Sequence, residues 1–230
     1  MPDVGPTDIR LPLKPLAVVF DMDGLLFDTE ALYRDAMIQT AAELGHDMPA
    51  SLYLDTIGLS GEATRTLLSG RYGDAFDLDR FWKSASARFA AMATTETRLK
   101  PGVVDLLDLL DGMGLPFAIA TSSQHHDVQR NLDGHGLRDR FPTVVAYGDY
   151  DNGKPHPAPF LAAARRLGVA PEHCLALEDS HNGVRSASSA GMMTVMVPDL
   201  LPSTEEMRAL CVGIASSLHE IGAALQEKRA

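Results

Sequence analysis

The stretch FDMDGLLFDTE, Phe20 to Glu30, decides how this 230-residue chain is read. It follows the apolar run LAVV, so residues 16–20 read as a buried strand, and Asp21 and Asp23 stand where that strand ends. At i and i+2 both side chains point to one side if the extended backbone persists. Asp and Gly are also ordinary turn residues, so DMDG alone is compatible with an Asx-type turn closing a strand. A calcium loop starting at Asp21 fails, because it needs Gly at its sixth position and Glu at its twelfth, where Leu26 and Leu32 stand.

Outward from this stretch, short apolar runs recur, each bounded by Gly, Pro or Asp and followed by a helical pattern: FAIAT (117–121), TVVAY (143–147), CLALE (174–178) and TVMV (194–197). That alternation predicts an α/β chain with a parallel sheet buried by helices. VVDLLDLLDGMG carries leucines at helical spacing and stops at glycines, and APFLAAARRLG is alanine-rich with a Gly stop. Residues 29 to about 96 break the alternation. TEALYRDAMIQTAAELG places Leu32, Ala36, Thr40 and Leu44 about a turn apart, DRFWKSASARFAAMATT is helical too, and no strand run lies between them. A helical insertion is therefore expected between the first strand and the sheet's next helix near Pro101.

In open α/β sheets ligands bind beyond the carboxyl ends of the strands, so the residues just after each apolar run belong together. They are Asp21 and Asp23, Thr121 and Ser122, Gly153 and Lys154, and Glu178 and Asp179. Carboxylates, a hydroxyl and one ammonium suit a divalent cation plus a phosphate. Three carboxylates repel unless offset, and Mg²⁺ is a hard cation suited to carboxylate and carbonyl oxygens. With that repulsion screened by the metal and Lys154, Asp21 can act as nucleophile on phosphorus and Asp23 as general acid and then base.

Each cluster also has a plainer reading. Thr121, Ser122 or Ser123 could cap the helix that follows, or place a hydroxyl and backbone N–H groups at its anion-attracting N-terminus. Asp179 or Ser180 could cap the helix after CLALE. GDYDNGKP approaches a P-loop, but Pro155 replaces the required Ser or Thr and Asp149 and Asp151 would repel a nucleotide. His125, His126, His156 and His181 form no H-E-x-x-H pattern, and Cys174 and Cys211 read as structural thiols.

Composition narrows the function classes. A net charge of −11 argues against nucleic acid and anionic membranes as partners, while permitting a small phosphate at one locally positive pocket. Residues 1–15 hold four prolines and no long apolar run, and no segment approaches a membrane span, so a cytoplasmic location is expected.

With these clusters in this order, the chain resembles the haloacid dehalogenase superfamily, in the branch with a helical cap after the first motif. DMDGLLFDTE matches the nucleophile motif, ATSS the hydroxyl motif, GKPHP the lysine motif and LEDSHNGVRSASSAGM the acidic motif. The resemblance implies a Rossmann-like core of mostly parallel sheet flanked by helices (1–27 and 97–230) and an inserted all-helical cap domain (28–96). It implies Asp21 as nucleophile and metal ligand, and Asp23 as acid and base that also lends its backbone carbonyl to Mg²⁺. Thr121 and the Ser122 backbone would hold phosphate, Lys154 would neutralise it, Asp179 would ligate the metal, and Glu178 would orient a water of the metal's shell.

Asp23 argues against dehalogenase activity, which typically has a non-acidic residue there. The similar β-phosphoglucomutases carry a His, a Lys and an Arg at cap positions where this chain has Tyr33, Ile57 and Gly61. The expectation is a Mg²⁺-dependent phosphatase acting on a small phosphorylated metabolite, a sugar phosphate or nucleoside-phosphate-like ester, as a monomer or small homo-oligomer. IGLSG of the cap is expected to face its pocket; Arg65 could face it too, but an arginine on an amphipathic helix is more often solvated, so Arg65 stays outside the expected site. A phosphomutase and a non-catalytic phosphometabolite-binding protein are the alternatives.

Overall fold

A computed structural model describes residues 9–73 and 76–227, so the expected core segment 1–27 begins outside them. Six strands form one sheet in the order β3-β2-β1-β4-β5-β6, every pairing parallel: β1 Ala17–Phe20, β2 Phe117–Gln124, β3 Val144–Tyr147, β4 Cys174–Glu178, β5 Met193–Met196 and β6 Gly213–Ile214. Sequence order runs outward from β1 in both directions, so the strand order reverses beside β1, where such sheets open a crevice at their carboxyl edge.

The apolar runs bury both faces because alternate residues face opposite helix layers. Val18, Phe20, Ile119, Leu175 and Leu177 pack with Leu106, Leu107 and Leu110 of α5 (Val103–Met113) and Ile221 and Leu225 of α10 (Leu218–Glu227). Ala17, Val19, Ala118, Ala120 and Ala176 pack on the other face against Phe160 and the Ala162–Ala164 run of α7 (Ala158–Leu167), with Ala187 of α8 (His181–Ser189). The small residues on both sides of that second interface let α7 lie close to the sheet.

Four helices occupy the stretch between β1 and α5: α1 Glu30–Glu43, α2 Ala50–Leu54, α3 Gly61–Tyr72 and α4 Leu78–Glu96. No strand lies among the described residues of this insert. It has its own core, in which Met37, Leu52, Leu68, Phe76 and Phe81 are buried together. The chain leaves and re-enters through adjacent segments: Phe27 bridges antiparallel to Leu99, Asp28 N–H donates to the Arg98 carbonyl, and Lys100 N–H to that of Leu26.

The strands depart from the sequence reading in two places. β2 continues to Gln124, past the apolar run, through an irregularity in its pairing with β3 between Ala120 and Gln124. β6, only two residues long, follows α9 (Glu205–Leu210) and carried no periodic signal. No helix among the described residues is long and apolar enough to cross a membrane.

Candidate active site

The register of the three central strands sets the site. Phe20 aligns with Ile119 on one side and Leu177 on the other, so the residues following each arrive at one level of the carboxyl edge. Asp21 N–H donates to the Leu177 carbonyl, continuing the ladder one residue beyond β1. The backbone then folds tightly, Leu26 and Phe27 N–H both donating to the Met22 carbonyl while Gly24 N–H donates to that of Phe27. Gly24 has φ +84°, and a side chain there would place its Cβ 2.4 Å from Asp179 Oδ2. Glycine is the residue that takes this turn against a carboxylate.

Lys154 reaches into the strand ends from the loop before α7. Its Nζ donates to Asp21 Oδ1 and to Glu178 Oε1, each at 2.5 Å, and lies 5.0 Å from the Phe160 ring centroid. The lysine is only 3% exposed. Burial works against its charge, but the Asp21 and Glu178 carboxylates outweigh this and hold the ammonium above the ordinary lysine range. The other oxygen of Glu178 accepts from the N–H and the hydroxyl of Ser180, each at 3.0 Å. Ser180 also caps α8, accepting from Gly183 N–H at 3.1 Å, so the capping role falls to Ser180 rather than Asp179. A Cβ on Gly183 would fall 1.7 Å from Glu178 Oε1.

Asp23 has other partners. Its Oδ1 accepts from the Thr29 hydroxyl at 2.7 Å and its Oδ2 from that of Ser123 at 2.6 Å. Ser123 N–H in turn donates to Thr121 Oγ1 at 3.0 Å, and Tyr150 Oη donates to the Thr121 carbonyl at 3.0 Å. Thr121 is buried inside the extended β2, and the N-cap of α6 (His125–Gly134) is Gln124, without a side-chain cap bond. None of Thr121, Ser122 and Ser123 is therefore the helix cap, and the hydroxyl motif sits on strand rather than on the helix's first turn.

Asp21, Glu178 and Asp179 bring one carboxylate oxygen each within 4.8 Å of one another, all three buried. Burial, only partly offset by Lys154, pushes the Asp21 carboxyl up to about 8. Burial and then the Glu178 and Asp21 charges raise Asp179 well above its ordinary value. Burial also raises Asp23, against the lowering effect of the Ser123 and Thr29 hydrogen bonds. One ammonium against this many buried carboxylates leaves a negative surplus, and all the side-chain donors are hard oxygens. The residues present fit a divalent cation.

Two residues absent from the sequence reading of the site stand beside it. Glu30 of α1 is buried and accepts a 2.5 Å hydrogen bond from Tyr53 Oη of α2; burial pushes its carboxyl up to about 8. They line a cavity of about 650 Å³ between sheet and insert, with Asp21, Asp23, Thr121, Ser122, Lys154 and Asp179 at its base. Tyr33, Ile57, Gly61, Arg65, Trp82 and Phe89 of the insert line it too. The insert touches the sheet domain directly: Asn182 Nδ2 donates to the Ile57 carbonyl at 3.3 Å, and Gly58, at φ +74°, packs against Ser180. Of His125, His126, His156 and His181, His126 lines the cavity. Burial pushes the thiols of Cys174 and Cys211 to about 11 and 12, which leaves neither a nucleophile near neutral pH.

The sequence profile of the haloacid dehalogenase-like hydrolases matches residues 15–191. The chain belongs to the haloacid dehalogenase-like hydrolases. Hexitol phosphatase B of Escherichia coli K12 is 34% identical over 189 residues, 81% of this chain and 85% of that protein. A phosphorylated carbohydrates phosphatase of Thermotoga maritima is 31% identical over 176 residues, 76% of this chain and 82% of its own. The crystal structure of CbbY from Rhodobacter sphaeroides in complex with phosphate superposes with a TM-score of 0.78 at 29% identity, covering 90% of this hydrolase and 96% of that chain.

Proposed function

We propose that this hydrolase is a Mg²⁺-dependent phosphatase that cleaves a small soluble phosphomonoester, a sugar phosphate or nucleoside-phosphate-like ester, through an aspartyl phosphate on Asp21. The observation that carries the reading is the different setting of two neighbouring carboxylates. Burial raises both carboxyls, but Asp21 alone is paired with a buried ammonium that favours its anionic form, whereas Asp23 is held by two hydroxyls. One is prepared as a nucleophile and the other as a proton donor. Hydrolase membership and the phosphatases among its relatives support the same reading.

In the first half-reaction an Asp21 oxygen attacks phosphorus while the bond to the leaving oxygen breaks, and Asp23 passes its proton to that oxygen. In the second, water attacks the phosphorus, Asp23 takes its proton, the bond to Asp21 breaks and phosphate leaves. Lys154, the Thr121 hydroxyl and the Ser122 backbone N–H hold the phosphate oxygens, and Glu178 fixes Lys154. Asp21, Asp179 and the Asp23 carbonyl would hold Mg²⁺, which supplies positive charge against the transferring phosphoryl group. Residues 28–96 act as a cap on the core of residues 1–27 and 97–230, and its contacts at Asn182 and Ser180 keep water out while the leaving group is present.

The test is phosphate release from a panel of sugar phosphates and nucleotides with Mg²⁺, for wild type and Asp21→Asn. Turnover by wild type and a loss of at least about a thousandfold in the variant are expected. Undiminished hydrolysis by Asp21→Asn would remove the nucleophile from the mechanism, and no hydrolysis of any ester by wild type would remove the phosphatase reading.

A further inference from the structure

The chain contains two Asn-Gly pairs, Asn152–Gly153 and Asn182–Gly183. In such a pair the glycine nitrogen can attack the asparagine side-chain carbon and close an imide ring, and glycine, lacking Cβ, hinders that nitrogen least. The reaction needs a free attacking N–H, a free side-chain amide and a backbone that can bring them together. The structure treats the two pairs oppositely. Asn182–Gly183 lies in α8, where Asn182 Nδ2 donates to the Ile57 carbonyl at 3.3 Å and Asn182 Oδ1 accepts from Arg185 Nη1 at 3.1 Å. Gly183 N–H is itself engaged, donating to Ser180 Oγ at 3.1 Å. Asn152–Gly153 lies instead in the loop between β3 and α7, outside any helix or strand, with Asn152 exposed. Neither the Asn152 side chain nor the Gly153 N–H has a hydrogen-bond partner among the described residues.

The residue after Gly153 is Lys154, and the loop that presents it has little slack. Upstream, Tyr150 Oη donates to the Thr121 carbonyl at 3.0 Å, and Asp149 Oδ2 accepts from Ala146 N–H at 3.0 Å. Downstream, the Gly153 carbonyl accepts from His156 N–H at 3.0 Å, and the His156 carbonyl from Ser186 Oγ at 2.6 Å. Ser60 of the insert closes a third side, its Cβ 3.3 Å from where a Cβ on Gly153 would sit. Ring closure joins Gly153 N to Asn152 Cγ and expels the side-chain nitrogen, with the Gly153 amide proton, as ammonia. Water then opens the ring at either carbonyl. One opening gives aspartate. The other gives isoaspartate, in which the main chain runs through Cβ and is longer by one carbon. In a loop held on both sides that extra carbon has to move Lys154, whose 2.5 Å contacts with Asp21 and Glu178 tolerate little displacement.

We propose that Asn152–Gly153 is a site of spontaneous deamidation whose isoaspartyl product disengages Lys154, a chemical ageing site built beside the candidate active site. The modification stands on the loop geometry alone, and only its effect on turnover rests on the phosphatase reading above.

The experiment ages the full chain with Mg²⁺ for weeks in mildly alkaline buffer at physiological temperature. Peptide mapping by mass spectrometry follows the conversion of amide to acid, and enzymatic methylation of isoaspartyl groups follows the longer backbone. Both signals should accumulate at Asn152 and rise with pH, while Asn182, held in its helix, should react at least about tenfold more slowly. Turnover should fall in step with the isoaspartate, each modified molecule keeping about a hundredth of its activity. Asn152→Ser should start as active as wild type and lose nothing on ageing. Asn152→Asp, which adds the charge without lengthening the backbone, should also start active. No modification at Asn152, or equal rates at Asn152 and Asn182, would overturn the site. An isoaspartyl fraction, separated by ion exchange, that retains full turnover would overturn the effect on Lys154. If wild type hydrolyses no phosphate ester at all, the phosphatase reading falls while the mass spectra still decide the modification. The effect on Lys154 is then read from thermal midpoints: a lower midpoint for the isoaspartyl fraction than for aged Asn152→Ser sustains it, and an equal one overturns it.

Discussion

The cavity has two unlike sides. On the sheet side, Asp21, Thr121 and Glu178 emerge from strands locked in register by backbone hydrogen bonds, and the 2.5 Å contacts of Lys154 join the β1 and β4 ends. On the cap side, Tyr33, Tyr53, Trp82 and Phe89 come from three helices whose positions depend on side-chain packing around Met37, Leu68 and Phe81. Backbone ladders fix positions more closely than packed side chains do, because repacking tolerates volume-conserving exchange and a ladder does not tolerate a shift of register. The difference suits a division of labour in which chemistry rests on the sheet and choice of leaving group rests largely on the cap.

That contrast is most exposed to failure at Lys154. Lys154→Met leaves Asp21 and Glu178 buried without their cation, so the sheet side should lose both stability and turnover. A cost of about 3–5 kcal/mol is expected, read as a thermal midpoint lower by roughly 6–20 °C in a chain of this size, with phosphate release down at least about a thousandfold. Removal of an equally buried cap residue, Leu68→Ala, should cost about 2–5 kcal/mol by cavity formation. Its effect on turnover should be far smaller than that of Lys154→Met; equal loss of kcat in the two variants would break the contrast.

Gly183→Ala sharpens it from the backbone. The added Cβ lies 1.7 Å from Glu178 Oε1, so the carboxylate must swing away and release Lys154. An alanine at a helical position usually helps by roughly 0.5–1 kcal/mol. Here the thermal midpoint should fall, and kcat should drop by about 10- to 100-fold through the displaced lysine. Metal linkage separates the two sides further. Mg²⁺ at about 100 times its Kd should add about 2.7 kcal/mol, raising the midpoint of wild type by roughly 5–10 °C over an EDTA sample. Asp179→Asn should abolish that rise, whereas Arg130→Lys on the cavity wall should keep it; a rise that survives Asp179→Asn would place the cation elsewhere.

How much of this could be read in the sequence follows the same division. LAVVF, CLALE and FAIAT are visible because a parallel strand buried on both faces has to be a continuous apolar run, and the residues after them are at the crevice by topology alone. The apolar run stops three residues before β2 does because Ser122, Ser123 and Gln124 are polar, and they are polar where that end of the strand meets the cavity. Asp21 and Asp23 share one side of the strand end if the backbone stays extended; the backbone folds at Met22 and Gly24, both carboxylates line the one cavity, and the bonds of Asp23 to Thr29 and Ser123 are a detail that no spacing displays. Glu30 and Tyr53 meet across 23 residues and two helices, and Arg130, on the cavity wall over the Phe89 ring of the insert, sits in a polar run that reads as an ordinary solvated face. Only packing of the insert onto the sheet reveals either.

The smallest expected effect lies where the two sides touch. Asn182 Nδ2 to the Ile57 carbonyl is one neutral hydrogen bond at 3.3 Å, so Asn182→Ala should remove about 0.5–1.5 kcal/mol at most. That shifts the thermal midpoint by no more than roughly 1–6 °C. Yet the bond joins cap to core directly, and any free energy it supplies to the closed form is lost from binding as well as from folding. KM for a good ester should rise about two- to tenfold with kcat little changed, because the sheet-side groups that act on phosphorus are untouched. Gly58→Ala, which adds a Cβ 2.5 Å from Ser180 Oγ at φ +74°, should act in the same direction and more strongly. If these variants instead lower kcat with KM unchanged, the cap contact takes part in the chemical step, and the assignment of chemistry to the sheet and selection to the cap is too simple.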